Sequence, residues 1–243
     1  MWCPGQARQS LITRNKVRKA KGFPQRERQS RTFRESISFC MGVAKLTDQN
    51  TIVPDSKYAR IERERRYLLR DLPEGLARTD PHVQITDNYI TGTRLRIRKV
   101  REPRTNKWTV KFTQKFPIQP DDLSRTLITN TYLNAIEAET LSVFSSNEIR
   151  KNRYYFDYDG KKFSVDLFLG DLFGLVLAEV SFETDEELAN FPKPGFALAE
   201  VTNQEAFSGG KLAELTFADV REEIANYGLS ESANRTSPDY ADY

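Results

Sequence analysis

The fold is decided by an alternating stretch, IERERRYLL at residues 61–69. Successive side chains of a β-strand point to opposite faces of the sheet. The stretch therefore predicts a strand that carries Glu62, Glu64 and Arg66 on one face and mostly apolar side chains on the other. The apolar face of such a strand must pack against other elements of the protein.

The same alternation continues along the chain, and it predicts about eight strands with a few helices between and after them. A tight hairpin turn is predicted at Asp159-Gly160, because this dipeptide favours the backbone of a two-residue turn. The pattern is best explained as an α+β fold, an eight-stranded antiparallel β-barrel with peripheral helices. The predicted strands are 61–69, 82–90, 93–100, 107–114, 125–131, 150–158, 161–169, 175–182 and 198–202, and the predicted helices are 134–144, a short one after Thr184, and 216–227.

The charged faces of these strands allow two interpretations. If the sheet is open, the charges form its solvated face, which is the ordinary place for them. If the barrel closes with the charges inside, cations and carboxylates converge on one interior, which is costly unless ligands and counter-ions satisfy them. Arginine binds phosphate oxygens in a bidentate manner, and magnesium could bridge phosphate to the carboxylates. Composition alone does not choose between the two.

The basic charge is concentrated at the N-terminus. Residues 1–40 hold ten Lys or Arg and two acids, whereas the remainder holds 27 basic and 32 acidic residues. The fold itself is therefore slightly acidic, and its charge does not indicate nucleic-acid binding. We predict a disordered leader over 1–58, a folded domain over 59–228 and a flexible tail over 229–243. The leader resembles an organelle transit peptide, or else translation begins at Met41; we favour Met41 and a cytoplasmic protein.

The scarcity of two residue types excludes several kinds of site. With two cysteines and one histidine, the chain has neither a disulfide framework nor a zinc site built on His or Cys. The apolar runs are too short for a transmembrane helix. Any acid–base chemistry must come from Asp, Glu, Lys, Arg or Tyr. The sequence gives no indication of the oligomeric state.

Seven segments, taken in order, resemble the motifs of the CYTH superfamily, also called triphosphate tunnel metalloenzymes. The resemblance covers residues 60–215, and it implies an eight-stranded tunnel that binds triphosphates with Mg²⁺ or Mn²⁺. The segments are Glu62-x-Glu64-x-Arg66, Arg94-x-Arg96-x-Arg98, Lys111, Lys151-x-Arg153-Tyr154, the block from Asp166 to Gly174, Glu179-Val180-Ser181, and Glu200-Val201-Thr202 with Leu212-Ala213.

By position in these motifs, the resemblance assigns each charged residue to one of two groups. Asp166 and Glu200 also have a structural alternative, in which Asp166 holds nearby cations and Glu200 pairs with Lys211 or an arginine. The implied phosphate-binding residues are Arg66, Arg94, Arg96, Arg98, Lys111, Lys151 and Arg153, and the implied metal-side residues are Glu62, Glu64, Asp166, Glu179 and Glu200.

The chain departs from the family pattern at positions that bear on activity. Arg66 replaces the family lysine and is a poor general base, so no catalytic base is assigned. Ser181 replaces a family glutamate, and no acid lies between Arg125 and Ile136. The expected function is hydrolysis of inorganic triphosphate or a related small organic triphosphate with a divalent metal. The alternatives are a domain that binds polyphosphate or a nucleotide without turnover and, third, an adenylate cyclase.

Overall fold

The structure is a computed structural model that describes residues 58–227. All of the predicted leader except Tyr58 lies outside this range, as does the predicted tail. Nine strands and four α-helices are present within 58–227. The strands are Ala59–Leu69 (β1), His82–Ile90 (β2), Leu95–Glu102 (β3), Lys107–Gln119 (β4), Asp122–Leu133 (β5), Ser146–Tyr158 (β6), Lys161–Leu169 (β7), Val176–Phe182 (β8) and Ala199–Glu200 (β9), and the helices are Ala135–Leu141 (α1), Asp185–Asn190 (α2), Gly209–Leu212 (α3) and Phe217–Ala225 (α4).

Eight of these strands close into an antiparallel barrel, as predicted. Their order is β5-β4-β3-β2-β6-β7-β8-β1, and β1 also pairs with β5, which completes the ring. One edge of β1 pairs with β8 over Arg63–Leu69, while its other edge pairs first with β5 and then with the short β9. A closed barrel leaves no free sheet edge in its wall.

The observed strands match the predicted ones most closely where the turns are strongest. β2 and β7 have the predicted bounds, and Asp159 and Gly160 both adopt positive φ values (48° and 71°) in the hairpin that joins β6 and β7. β4 runs five residues beyond the predicted end, Gln114, and it has an irregularity between Pro117 and Gln119. This extension matters for the barrel interior, because it adds one more inward-facing cation.

Apolar side chains pack in two clusters around the barrel. The first lies on the outer face of β1, β7 and β8, where Tyr67 and Phe163 pack with Leu188 of α2. The second fills one end of the barrel, where Leu68 and Phe168 pack with residues of the C-terminal segment; the other buried members include Leu175, Leu177, Val201, Phe207, Leu212, Val220 and Ile224.

The clusters leave the remaining interior to polar side chains. No helix within residues 58–227 is long and apolar enough to cross a membrane.

Candidate functional site

The interior of the barrel is a charged cavity of about 830 Å³. Within the described residues, nine Lys or Arg and seven Asp or Glu side chains line it. The cations are Arg60, Arg66, Arg94, Arg96, Arg98, Lys111, Lys115, Lys151 and Arg153, and the acids are Glu62, Glu64, Asp87, Asp121, Asp166, Glu179 and Glu205. The charged faces of the strands therefore point inward, and the cavity carries more positive than negative side chains.

Eleven of the twelve residues assigned from the sequence line this cavity. The exception is Glu200, which lies on the outside of the barrel. Its carboxylate accepts hydrogen bonds from the Arg65 guanidinium (3.4 Å) and from the Thr202 hydroxyl (2.7 Å). Glu200 thus pairs with an arginine, and it is not brought together with the other acids.

One side of the cavity is a network of five buried charges, which we call the deep wall: Arg66, Lys151, Arg153, Asp166 and Glu179. Asp166 accepts hydrogen bonds from Lys151 (2.6 Å) and from both Nε and Nη2 of Arg153 (2.6 Å each). Glu179 is contacted by Arg153 (2.8 Å) and by Nε and Nη2 of Arg66 (3.0 and 2.9 Å). Each carboxylate of this wall is therefore shared between two cations.

The electrostatics of the deep wall keep its carboxylates ionised. Burial alone would raise the pKa of Asp166, but Arg153 and Lys151 outweigh burial and lower it. Burial opposes ionisation of Glu179 in the same way, yet Arg66 and Arg153 lower its pKa well below the usual range. The alternative in which Asp166 holds cations agrees with this geometry.

A second buried aspartate, which the sequence analysis did not single out, holds the cations of β3. Asp87 on β2 accepts hydrogen bonds from Nε and Nη2 of Arg98 (2.6 and 2.7 Å), and the Arg96 guanidinium lies 3.6 Å away. Burial would raise the pKa of Asp87, but Arg96 and Arg98 lower it well below its usual value. The alternation of β2, which places Asp87 and Tyr89 on one face, was the available signal.

The deep wall adjoins a second group of charges, which we call the open wall after its partly exposed lysine: Glu62, Glu64 and Lys115. The Lys115 ammonium lies 2.7 Å from Oε2 of Glu62 and 2.8 Å from Oε2 of Glu64. Burial would lower the pKa of Lys115, but Glu64 and Glu62 raise it. Sequence reasoning missed Lys115 because the predicted strand stopped at Gln114. Continuing the alternation of Lys111 and Thr113 by two residues would have found it.

Comparison with known proteins gives one local sequence match and several similar solved structures, but no protein-family model matches the chain. Over 74 residues the chain is 36% identical to a curated inorganic triphosphatase from Acetivibrio thermocellus; the match covers 30% of this chain and 46% of that protein. The chain thus spans less than half the length of that relative.

Two solved structures illustrate the structural likeness. The inorganic triphosphatase NE1496 has 22% identity and a TM-score of 0.43, and the match covers 63% of this chain and 93% of that one. The PH1012 protein from Pyrococcus horikoshii has 14% identity and a TM-score of 0.36, with coverage of 53% and 83%.

The local match to a triphosphatase, and the convergence of the ordered motifs inside a closed eight-stranded barrel, agree with the resemblance to CYTH-type triphosphate tunnel domains. We call the charged interior the tunnel, and the described residues 58–227 the tunnel domain.

Some cations of the tunnel domain have no carboxylate partner. Within residues 58–227, neither Arg94 nor Lys111 forms an ion pair; Arg94 stacks over Phe116 and Lys111 lies over Tyr132. The Nε of Arg96 is buried and lacks a hydrogen-bond partner. A buried donor without an acceptor is costly, and an anion in the tunnel would supply one.

The open wall is the part of the tunnel that fits a metal ion. One carboxylate oxygen of Glu62 and one of Glu64 both contact the Lys115 ammonium. A small cation at the position of this ammonium would therefore have two carboxylate ligands. Mg²⁺ is often bound by one or two carboxylates together with water and phosphate oxygens. No group of three or more His, Cys, Asp or Glu residues suited to a metal occurs in the described part of the chain. The donors therefore fit a single hard cation.

Proposed function

We propose that the tunnel domain hydrolyses inorganic triphosphate, or a related small organic triphosphate, with the help of a divalent cation, Mg²⁺ or Mn²⁺. The observation that carries the proposal is the excess of inward-facing cations, nine against seven acids, around one cavity. A triphosphate is a compact polyanion, and Arg and Lys side chains recognise its oxygens directly. We expect such a protein in the cytoplasm.

The tunnel cations are positioned before any ligand arrives. Asp87 fixes Arg98 in the lining of the cavity, and Asp166 fixes Lys151 and Arg153. Cations held in this way need little rearrangement to stabilise charge that develops on the phosphate oxygens and on the departing phosphate. Holding the substrate in line with an attacking water adds the benefit of orientation.

The two open-wall carboxylates, Glu62 and Glu64, would hold the divalent cation. Such an ion, when bound, neutralises phosphate oxygens and orients them for attack. Asp166 and Glu179 already share two cations each, so their proposed role is to orient phosphate-binding side chains. Glu200, on the outside of the barrel, has no role in this proposal.

One observation favours the alternative function, a binding domain without turnover. Arg66 stands where the family has a lysine, and its guanidinium is engaged by Glu179 and by the carbonyl oxygen of Phe207 (3.0 Å). Burial lowers the pKa of Arg66, but Glu179 and Glu64 raise it above the ordinary value, so Arg66 stays protonated. A hydrolase must therefore activate its water without Arg66.

Phosphate release from tripolyphosphate tests the two functions. The assay uses the full chain with Mg²⁺, with Mn²⁺ and with EDTA, and includes thiamine triphosphate and ATP as further substrates. Turnover that requires metal supports the hydrolase. Tight binding of tripolyphosphate by calorimetry without phosphate release would replace it with the binding domain, and absence of both would overturn the proposal.

A further inference from the structure

Lys115 is set apart from the other paired cations of the tunnel by its carboxylate partners. It belongs to β4, but both of its carboxylates, Glu62 and Glu64, belong to β1. β5 lies between these two strands, with Ile128 opposite Lys115 on one side and opposite Arg60 on the other. The Lys115 side chain therefore crosses over β5 to reach its partners.

The composition of β5 accounts for this reach. Its cavity-lining residues in this region are Thr126, Ile128 and Asn130, none of which carries a charge. The one acid of β5, Asp122, pairs with Arg125 at the start of the strand, so the partners of the Lys115 ammonium are the acids of β1. The absence of acids between Arg125 and Ile136, noted in the sequence, thus explains why a β4 cation occupies the point between Glu62 and Glu64.

The contact of Lys115 with Glu62 and Glu64 is one that can be exchanged for other partners. The side chain of Lys115 is 30% exposed, whereas that of Lys151 is 9% and that of Arg153 is 14% exposed. An ammonium group is a point charge on a flexible stem, unlike the planar guanidinium that binds two oxygens at once. Lys115 can therefore leave its carboxylates for solvent or for a phosphate at a smaller cost than the deep-wall cations.

We propose that Lys115 is a built-in competitor of the divalent cation: its ammonium occupies the point where Glu62 and Glu64 converge, and a metal ion binds there only when Lys115 moves away. This inference rests on the proposed function, because it concerns the same metal position. Its consequence is that the charges of Glu62 and Glu64 are partly neutralised without metal, and that the tunnel binds Mg²⁺ or Mn²⁺ weakly on its own.

The test measures Mn²⁺ binding to the full chain without any phosphate, from the loss of the electron paramagnetic resonance signal of free Mn²⁺. Lys115→Met keeps the length of the side chain and removes its charge, so it should bind Mn²⁺ about tenfold more tightly than the wild type, since removing a competing charge at a few ångströms is worth at least that factor. Lys111→Met is the matched control. It removes the same charge from the same strand face, about 13 Å away along β4, and should change the affinity much less.

A second variant keeps the test decisive if Lys115→Met does not fold. Lys115→Arg retains the charge and can hold both carboxylates with one guanidinium, so it should bind Mn²⁺ more weakly than the wild type. Equal affinity in the wild type and in every folded Lys115 variant would overturn the inference, as would an equal gain in Lys111→Met.

The result of the Mn²⁺-binding test can be distinguished from the result of the hydrolysis test of the proposed function. Tighter Mn²⁺ binding by Lys115→Met supports the inference even if no triphosphate is hydrolysed. Metal-dependent hydrolysis with unchanged Mn²⁺ affinity in the Lys115 variants retains the hydrolase and removes the inference. If both hold, the Mn²⁺ concentration for half-maximal turnover should fall in Lys115→Met.

Discussion

The two walls of the tunnel use the same kinds of charge for different purposes. In the deep wall, Asp166 is 2% exposed and is held by two cations from β6. In the open wall, one lysine serves two carboxylates, and that lysine is 30% exposed. The difference teaches that burial and the number of partners, together with the kind of cation, separate a structural ion network from an exchangeable one.

The largest expected effect comes from breaking the deep wall. Asp166→Asn removes the charge that Lys151 and Arg153 share, so that Lys151 loses its carboxylate partner and Arg153 keeps only Glu179. We expect a loss of about 3 kcal/mol or more in the free energy of unfolding, measured by urea denaturation.

The control for this change is Asp157→Asn on the outside of the barrel. Asp157 is 77% exposed and pairs with Lys162, so its loss should cost less than about 1 kcal/mol. Similar losses in both variants would contradict the structural role of the deep wall.

Substitutions in the open wall should lower the activity and leave the free energy of unfolding almost unchanged. Glu62→Gln removes one of the two carboxylates proposed to hold the metal, so metal-dependent phosphate release should fall by at least about 100-fold. The free energy of unfolding should change little, because its partner Lys115 is partly exposed. Glu200→Gln, on the outer surface, should retain activity; a Glu62→Gln protein with wild-type turnover would refute the assignment.

The pH dependence of stability should also distinguish the walls. The deep-wall acids Asp166 and Glu179 have lowered pKa values, and unfolded carboxyl groups titrate near pH 4. The unfolded state therefore binds more protons below about pH 4, so their stabilisation is fully present above that pH and is lost as the pH falls through the folded pKa values. Urea denaturation between pH 7 and pH 2.5 should show a steep loss at the acidic end.

The variant Asp166→Asn supplies the comparison for this profile. In Asp166→Asn the acidic slope should be shallower than in the wild type, because one of the groups that take up protons on unfolding has been removed. A profile of Asp166→Asn parallel to that of the wild type would show that Asp166 does not titrate with a lowered pKa.

The smallest expected effect is a gain in Mn²⁺ affinity at the open wall. Ser181 pairs with Glu64 across β1 and β8, and Ser181→Glu would place a third carboxylate beside the proposed metal position. Mn²⁺ affinity should rise a few-fold. Thr140→Glu adds the same charge on the exposed surface of α1 and should have no effect; equal affinity in the two variants would argue against a metal at Glu64.

Alternation along the strands predicted the barrel and the inward direction of the charges, because a period of two fixes which side chains share a face. It did not predict which acid pairs with which cation. Asp87 meets Arg98 through the register of the consecutive strands β2 and β3, whereas Lys115 meets Glu64 only because the closed barrel brings together strands that are distant in sequence. Glu200 was placed with the site because its motif fits, whereas the short pairing of β9 with β1 turns its side chain outward with Arg65.

The pairing of β1 also has a consequence for how the protein folds. The strands β2 to β5 form successive hairpins, as do β6 to β8, whereas Arg66 of β1 meets Glu179 of β8 across 113 residues. Contacts of such long sequence separation slow folding, because the entropy of closing the loop is lost before the contacts form. We therefore expect the hairpins to assemble early and β1 to seal the ring last, so that Glu62 and Glu64 complete the tunnel only at the final step of folding.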